Sequence, residues 1–255
     1  MSETSSLFGG PAPAGSAITL YNKPSANYAA KVQATIDLLK AVVIEHPDKA
    51  VQATSLGVED MIVTDLIARH GLHIAIGTLE TGMLNPETAS LIGTIESHYA
   101  DVGIHVEVYR PVQEVAIEFV RKNGDKAMYD SIELRKACCA MRKLEPLGRM
   151  LANRDAWITG LRREQSNNRG DMAARELDDK GRAKFNPMID WTWGDVWHYV
   201  SVNHVPYNPL HDQFMPSIGC APCTRAIAVG EDFRAGRWWW EDEKAKECGL
   251  HVHPT

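Results

Sequence analysis

Five cysteines are the residues best suited to chemistry in this chain of 255 residues. Cys138 and Cys139 are adjacent, Cys220 and Cys223 form a C-x-x-C, and Cys248 stands alone near the end. Thiolates are soft donors, and two close pairs in one chain suit zinc or an iron–sulfur cluster. Each pair also has a blander meaning. Adjacent cysteines in a helical pattern can be buried apolar residues, and a lone C-x-x-C can be a thioredoxin-type redox pair. Taken together, the four favour metal. Zinc prefers tetrahedral sites built from spaced cysteines, and neighbours on a helix do not point easily at one ion. A cubane has several iron corners, so the pattern favours one 4Fe–4S cluster held by Cys138, Cys139, Cys220 and Cys223. Arg142 and Lys143, one helical turn on, either offset its negative charge or form an ordinary solvated face.

Cys248 lies in the run KAKECGLH, Lys244 to His251. Nearby cationic groups lower a thiol pKa and raise its thiolate fraction, the alternative being an inert exposed thiol. If four cysteines hold a cluster, Cys248 has no second thiol in its own chain. A covalent adduct there would need an external thiol for release.

Anion-binding candidates come next. Arg162 and Arg163 lie in the loop 160–166, and Arg234 and Arg237 precede Trp238-Trp239-Trp240. Guanidinium groups give paired, charge-assisted bonds to phosphate and sulfate, although exposed arginine pairs are often plain surface. The tryptophans read as packing for a poorly structured tail. Ser55-Leu56-Gly57-Val58-Glu59-Asp60 reads as a strand-to-helix turn, where free N–H groups favour an anion. Glu59 and Asp60 would repel a phosphate beside them, so Ser55 and the backbone should meet it. Leu79-Glu80-Thr81-Gly82 ends the next strand on the same sheet edge, where open α/β sheets bind ligands.

The elements that must position these residues alternate. Apolar spacing predicts helices over 27–46, 59–70, 86–99, 112–122, 131–151 and 193–202, with strands over 49–56, 72–79, 104–109 and 156–159. Strands alternating with helices argue for an α/β fold, a parallel sheet flanked by helices. From Gly160 the alternation gives way to a loop-rich C-terminal region. Three segments are expected: a disordered arm over 1–22, a nucleotide-binding and cluster domain over 23–235, and a mobile tail over 236–255 that carries Cys248.

Bulk properties exclude several classes. The net charge of −6 argues against non-specific nucleic-acid binding, and no run is long and apolar enough for a membrane span. The Ser-, Gly- and Pro-rich start has no export-signal pattern, so a cytoplasmic, reducing location is expected, without structural disulfides. The oligomeric state is left open, a homo-oligomer included.

These segments together resemble the phosphoadenylyl- and adenylyl-sulfate reductase family, over roughly 53–251. The most specific part is GRWWWEDEKAKECGLH, Gly236 to His251, and the paired cysteines resemble the cluster-bearing branch. The resemblance implies an adenine-nucleotide-hydrolase-like (PP-loop) fold and a substrate, adenosine 5′-phosphosulfate (APS), reduced to sulfite and AMP. It implies that Cys248 is the nucleophile, passing through an S-sulfocysteine that thioredoxin or a glutaredoxin-like reductant releases. It further implies that Ser55, Leu56, Gly57, Leu79, Gly82, Arg162, Arg163, Arg234 and Arg237 bind substrate, with Lys143 and His251 as weaker candidates. Two departures stand out: Glu80 replaces the usual Asp, and Phe214-Met215 replaces a common Gly-Tyr pair. Rival readings are a reductase of the 3′-phosphorylated nucleotide, a cluster-bearing nucleotide-binding redox sensor, and an ATP-pyrophosphatase relative. Against the last, Leu56 stands where that group has the first Gly of its loop.

Overall fold

The computed structural model describes residues 15–165 and 172–241. Six strands form one sheet: β1 (Ala50–Thr54), β2 (Ala75–Leu79), β3 (Val106–Tyr109), β4 (Ala156–Ile158), β5 (Arg175–Leu177) and β6 (Ala183–Phe185). Their order is β3-β2-β1-β4-β6-β5. All neighbours pair in parallel except β5, which lies antiparallel on the β6 edge. The chain moves outward from β1 through β2 to β3, then returns to place β4 on the other side of β1. That reversal creates a crevice beyond the carboxyl ends of β1 and β4, the usual ligand position in such sheets.

The helices are α1 (Ala17–Tyr21), α2 (Tyr28–Glu45), α3 (Val58–Arg69), α4 (Pro86–His98), α5 (Gln113–Asn123), α6 (Ile132–Cys139), α7 (Glu145–Met150) and α8 (Trp193–Asn203). Helix α3 is buried from Val58 to Ala68. Its Leu66, Ile67 and Met61 join Ile36 and Leu39 of α2 and Val196, Trp197 and Val200 of α8 in the main core. Helix α8 opens on a capping box, in which Thr192 and Asp195 each satisfy the other's backbone N–H. Asp195 also takes Lys31 at 2.7 Å, which pins α2 to α8. The predicted helix over 131–151 forms α6 and α7 joined by a π-helical turn, Ala140–Leu144.

Three expectations need correcting. The β5–β6 hairpin falls where only loops were expected, because its strands, REL and AKF, are too short to show a period of two and, unlike β4, carry charged residues in place of an apolar run. The arm does not extend to residue 22: Ser16 caps α1, and the Ala17 N–H donates to Asp212 at 2.7 Å. The tail does not begin at 236, since Arg237, Trp238 and Glu241 are buried in the body. No helix among the described residues is long and apolar enough to cross a membrane.

Candidate active site

The crevice is built first by the turn after β1. Leu56 adopts a left-handed backbone, φ 62°, and its side chain turns into the core. Its neighbours Ser55 and Gly57 are left on the cleft wall. Asp60 holds this shape. One carboxylate oxygen accepts the Ser55 N–H at 2.7 Å and the Ser55 hydroxyl at 2.6 Å. The other accepts the Gly160 N–H at 2.8 Å, which ties the end of β4 to the end of β1. A Cβ at Gly160 would lie 2.5 Å from that oxygen, so this close approach requires glycine. Burial pushes the Asp60 carboxyl up to about 6, opposed by the Ser55 and Gly160 bonds and helped by the charge of Glu59. Asp60 therefore faces protein and not the cleft, while Glu59 stays on the cleft wall with its carboxylate paired to Arg162 and Gln165 at 2.9 Å each, which offsets the repulsion expected from the sequence.

The predicted anion ligands divide. Leu79, Lys143, Arg234 and Arg237 line the cleft with Ser55 and Gly57. Arg162 does not. Its buried guanidinium is paired with Glu59 at 2.9 Å and packs over the rings of Trp193 and Phe233. A buried carboxylate needs such a partner, so Arg162 braces the wall from behind. Arg163 is paired with Asp190 and donates to the Met172 carbonyl, away from the cleft. Leu56 faces the core. Gly82, at φ 70°, donates its N–H to Glu80 at 2.7 Å and does not line the cleft. Arg237 is buried, donates to the Cys223 and Ile218 carbonyls at 3.2 Å each, and stacks on Trp238. Cys248 and His251 lie outside the described residues.

A second, smaller cavity lies against the cleft. Cys138, Cys139, Cys220 and Cys223 all line it, and Lys143, Cys220 and Trp238 belong to the walls of both spaces. Helix α6 delivers the first pair. The second pair sits on a short 3₁₀ turn, Ala221–Cys223, held because the Ala221 N–H donates to Met83 at 2.7 Å. Among the described residues no three His, Cys, Asp or Glu side chains converge on a single metal ion. The four sulfurs around one cavity form a soft, thiolate-rich donor set of the kind that would hold an iron–sulfur cluster. The wall also carries Arg142 Nε and Trp238 Nε1, two buried N–H groups without a partner among the described residues. Donors of that kind suit an anionic, sulfur-rich occupant. Burial raises the Cys138 thiol against the pull of Arg142, and burial with the charge of Cys220 raises Cys223 to about 11.

Residues 49–226 match the model of the phosphoadenosine phosphosulfate reductase domain. The chain belongs to this family. Within it, the chain is 53% identical over 219 residues to an adenosine 5′-phosphosulfate reductase of Allochromatium vinosum, covering 86% of this chain and 84% of that one. Against the protein of the same name from Burkholderia cepacia it is 49% identical over 225 residues, 88% of each chain. The fold is shared with a phosphoadenylyl-sulfate reductase from Candida auris solved as a phosphate complex (TM-score 0.61, 24% identity, 76% of this chain and 92% of that one). It is shared more distantly with the FMN adenylyltransferase of Candida glabrata (TM-score 0.51, 10% identity, 90% and 82%). The PP-loop expectation thus holds at the level of fold.

Several residues of this family member's site were not legible in its sequence. Thr81 brings its hydroxyl within 3.3 Å of the Cys220 sulfur, and its carbonyl accepts from Arg142 at 2.7 Å. His211 is fully buried on the cleft wall, its Nε2 accepting the Val58 N–H at 3.3 Å. Burial holds its pKa down to about 4, so the ring is neutral. The Asn-Pro-Leu-His-Asp run, which gives the short 3₁₀ turn over Pro209–Gln213, is the local signal that could have flagged a fixed histidine.

Proposed function

We propose that this protein reduces APS to sulfite and AMP in assimilatory sulfate reduction, with Cys248 as nucleophile and a thioredoxin-like dithiol as reductant. The observation that carries the reading is the shared wall: a nucleotide-type cleft and a four-cysteine cavity meet at Lys143, Cys220 and Trp238. The names of the relatives agree with it.

In this reading the Cys248 thiolate attacks the sulfate sulfur, the bond from that sulfur to the phosphate oxygen breaks, and AMP leaves with the electron pair. A reductant thiolate then attacks the Cys248 sulfur and expels sulfite. The reductant's second thiol resolves the mixed disulfide, so two electrons pass from dithiol to sulfur and two protons are released. Lys143, Arg234 and Arg237 neutralise the phosphosulfate, and Ser55 and Gly57 meet the nucleotide. AMP is a good leaving group, so positioning and charge stabilisation outweigh acid catalysis. Cys138, Cys139, Cys220 and Cys223 would hold one 4Fe–4S cluster. Its role is electrostatic and structural, because the reaction moves electrons as a pair.

A thioredoxin-coupled assay with APS and its 3′-phosphate side by side tests the substrate. Turnover of APS is expected to dominate, and preference for the 3′-phosphate would overturn that choice. Anaerobically purified protein is expected to contain iron and acid-labile sulfide in equal amounts. Stoichiometric zinc without sulfide would remove the cluster.

A further inference from the structure

Arg135 lies on α6, one turn before Cys139, and its side chain is fully buried. It grips Glu241 with both arms of its fork, Nε to Oε1 at 2.9 Å and Nη2 to Oε2 at 2.7 Å. The same guanidinium hydrogen-bonds the Cys139 sulfur and stands 4.9 Å from the Trp238 ring centre. Trp238 is held in a left-handed backbone, φ 42°. A bulky residue keeps such a conformation only where packing over-determines it. Here Arg135 and Arg237 both lie over its ring, and the Glu241 N–H closes back on the Trp238 carbonyl at 2.9 Å. Residues 238–241 are thus a fixed root, seven positions before Cys248.

The geometry points to Arg135 as a positioning residue that couples the Cys139 site to the root of the nucleophile-bearing segment. This rests on the reading of Cys139 as a cluster ligand and Cys248 as nucleophile. With Cys139 committed to the cluster, one guanidinium satisfies a sulfur and a carboxylate at once. If Cys139 is released, the fork loses one of its two anchors, and the hold on Glu241 weakens. Cluster assembly would then set where the segment with Cys248 departs from the body.

Limited trypsin cleavage at Lys244 and Lys246 reads this without catalysis. In iron-replete wild type, stripping the iron should raise cleavage at least fivefold. Glu241→Gln should be cut at least fivefold faster with iron and sulfide still in full, and should gain less than twofold on iron removal. Its single-turnover sulfonation at Cys248 should slow at least tenfold, with AMP affinity unchanged. Glu241→Asp keeps the charge but shortens the reach, so it should fall between the two and stands in if the Gln variant does not fold. Cleavage of either variant within twofold of wild type, or a wild-type rate indifferent to iron removal, would overturn the coupling. A loss of AMP affinity in parallel with sulfonation would reduce Arg135 to plain structural support. Failure of the cluster reading is separable: wild type with zinc and no sulfide sinks that reading, while the Glu241 variants still report whether the ion pair holds the root.

Discussion

Replacing Cys248 with serine is expected to abolish sulfite formation, while the protein keeps the visible absorbance of the proposed cluster and still binds APS. A serine hydroxyl is hardly ionised at neutral pH and is a far weaker nucleophile than a thiolate. The rate should drop by roughly 10⁴-fold or more, as when other covalent nucleophiles are removed. AMP affinity should stay within about threefold, because the described cleft wall is made by other residues. The measurement is mass spectrometry of the protein after mixing with APS and no reductant. Wild type should gain one sulfonate on Cys248, and the serine protein none. Sulfite production by Cys248→Ser would show that the nucleophile lies elsewhere.

Asp60→Asn carries the largest effect expected in the folded body. The carboxylate accepts three bonds and gives none. An amide can offer only one acceptor, so its NH₂ must face either the Ser55 or the Gly160 N–H. Leaving a buried donor unpaired costs about 1–3 kcal/mol, so the loss should be about 2–3 kcal/mol, or roughly 4–10 °C in Tm. AMP affinity should fall on the order of tenfold as the turn at Ser55 loosens. The pH dependence has a definite sign. Burial raises the folded-state carboxyl to about 6, above its unfolded value, so between about 4 and 6 the folded protein binds more protons. The contribution of Asp60 to stability therefore decreases as pH climbs through that window, and Asn has no such term. The gap between wild type and variant should widen from pH 7 to pH 5, as read by urea denaturation. A constant gap would show that Asp60 is ionised throughout.

The alternating elements were readable because helices α2 to α5 and strands β1 to β3 each carry enough residues to show their period, and the three-residue β4 is wholly apolar and buried. The β5–β6 pair was not, since its short strands carry charged residues in place of an apolar run. For the site, what failed was direction. Arg162 and Arg237 look alike in sequence, yet Glu59, distant along the chain, draws Arg162 behind the wall. Asp60 looked like a repulsive neighbour for phosphate because nothing local tells which way a carboxylate turns. Trp238 read as tail packing and instead walls two cavities. The cysteine spacing was informative because adjacency is a constraint on geometry, and α6 shows both sulfurs reaching one space.

The π-helical turn at Ala140–Leu144 has one consequence of phase. Each residue of an α-helix advances the side-chain direction by roughly 100°, and a π turn inserts one residue into that count. Cys138, Cys139 and Arg142 line the cysteine cavity, whereas Leu147 and Met150 line the nucleotide cleft. The extra residue is thus a rotational offset between two halves of one rod. It lets one continuous helical run, α6 through α7, address two adjoining chambers, with Lys143 at the changeover facing both.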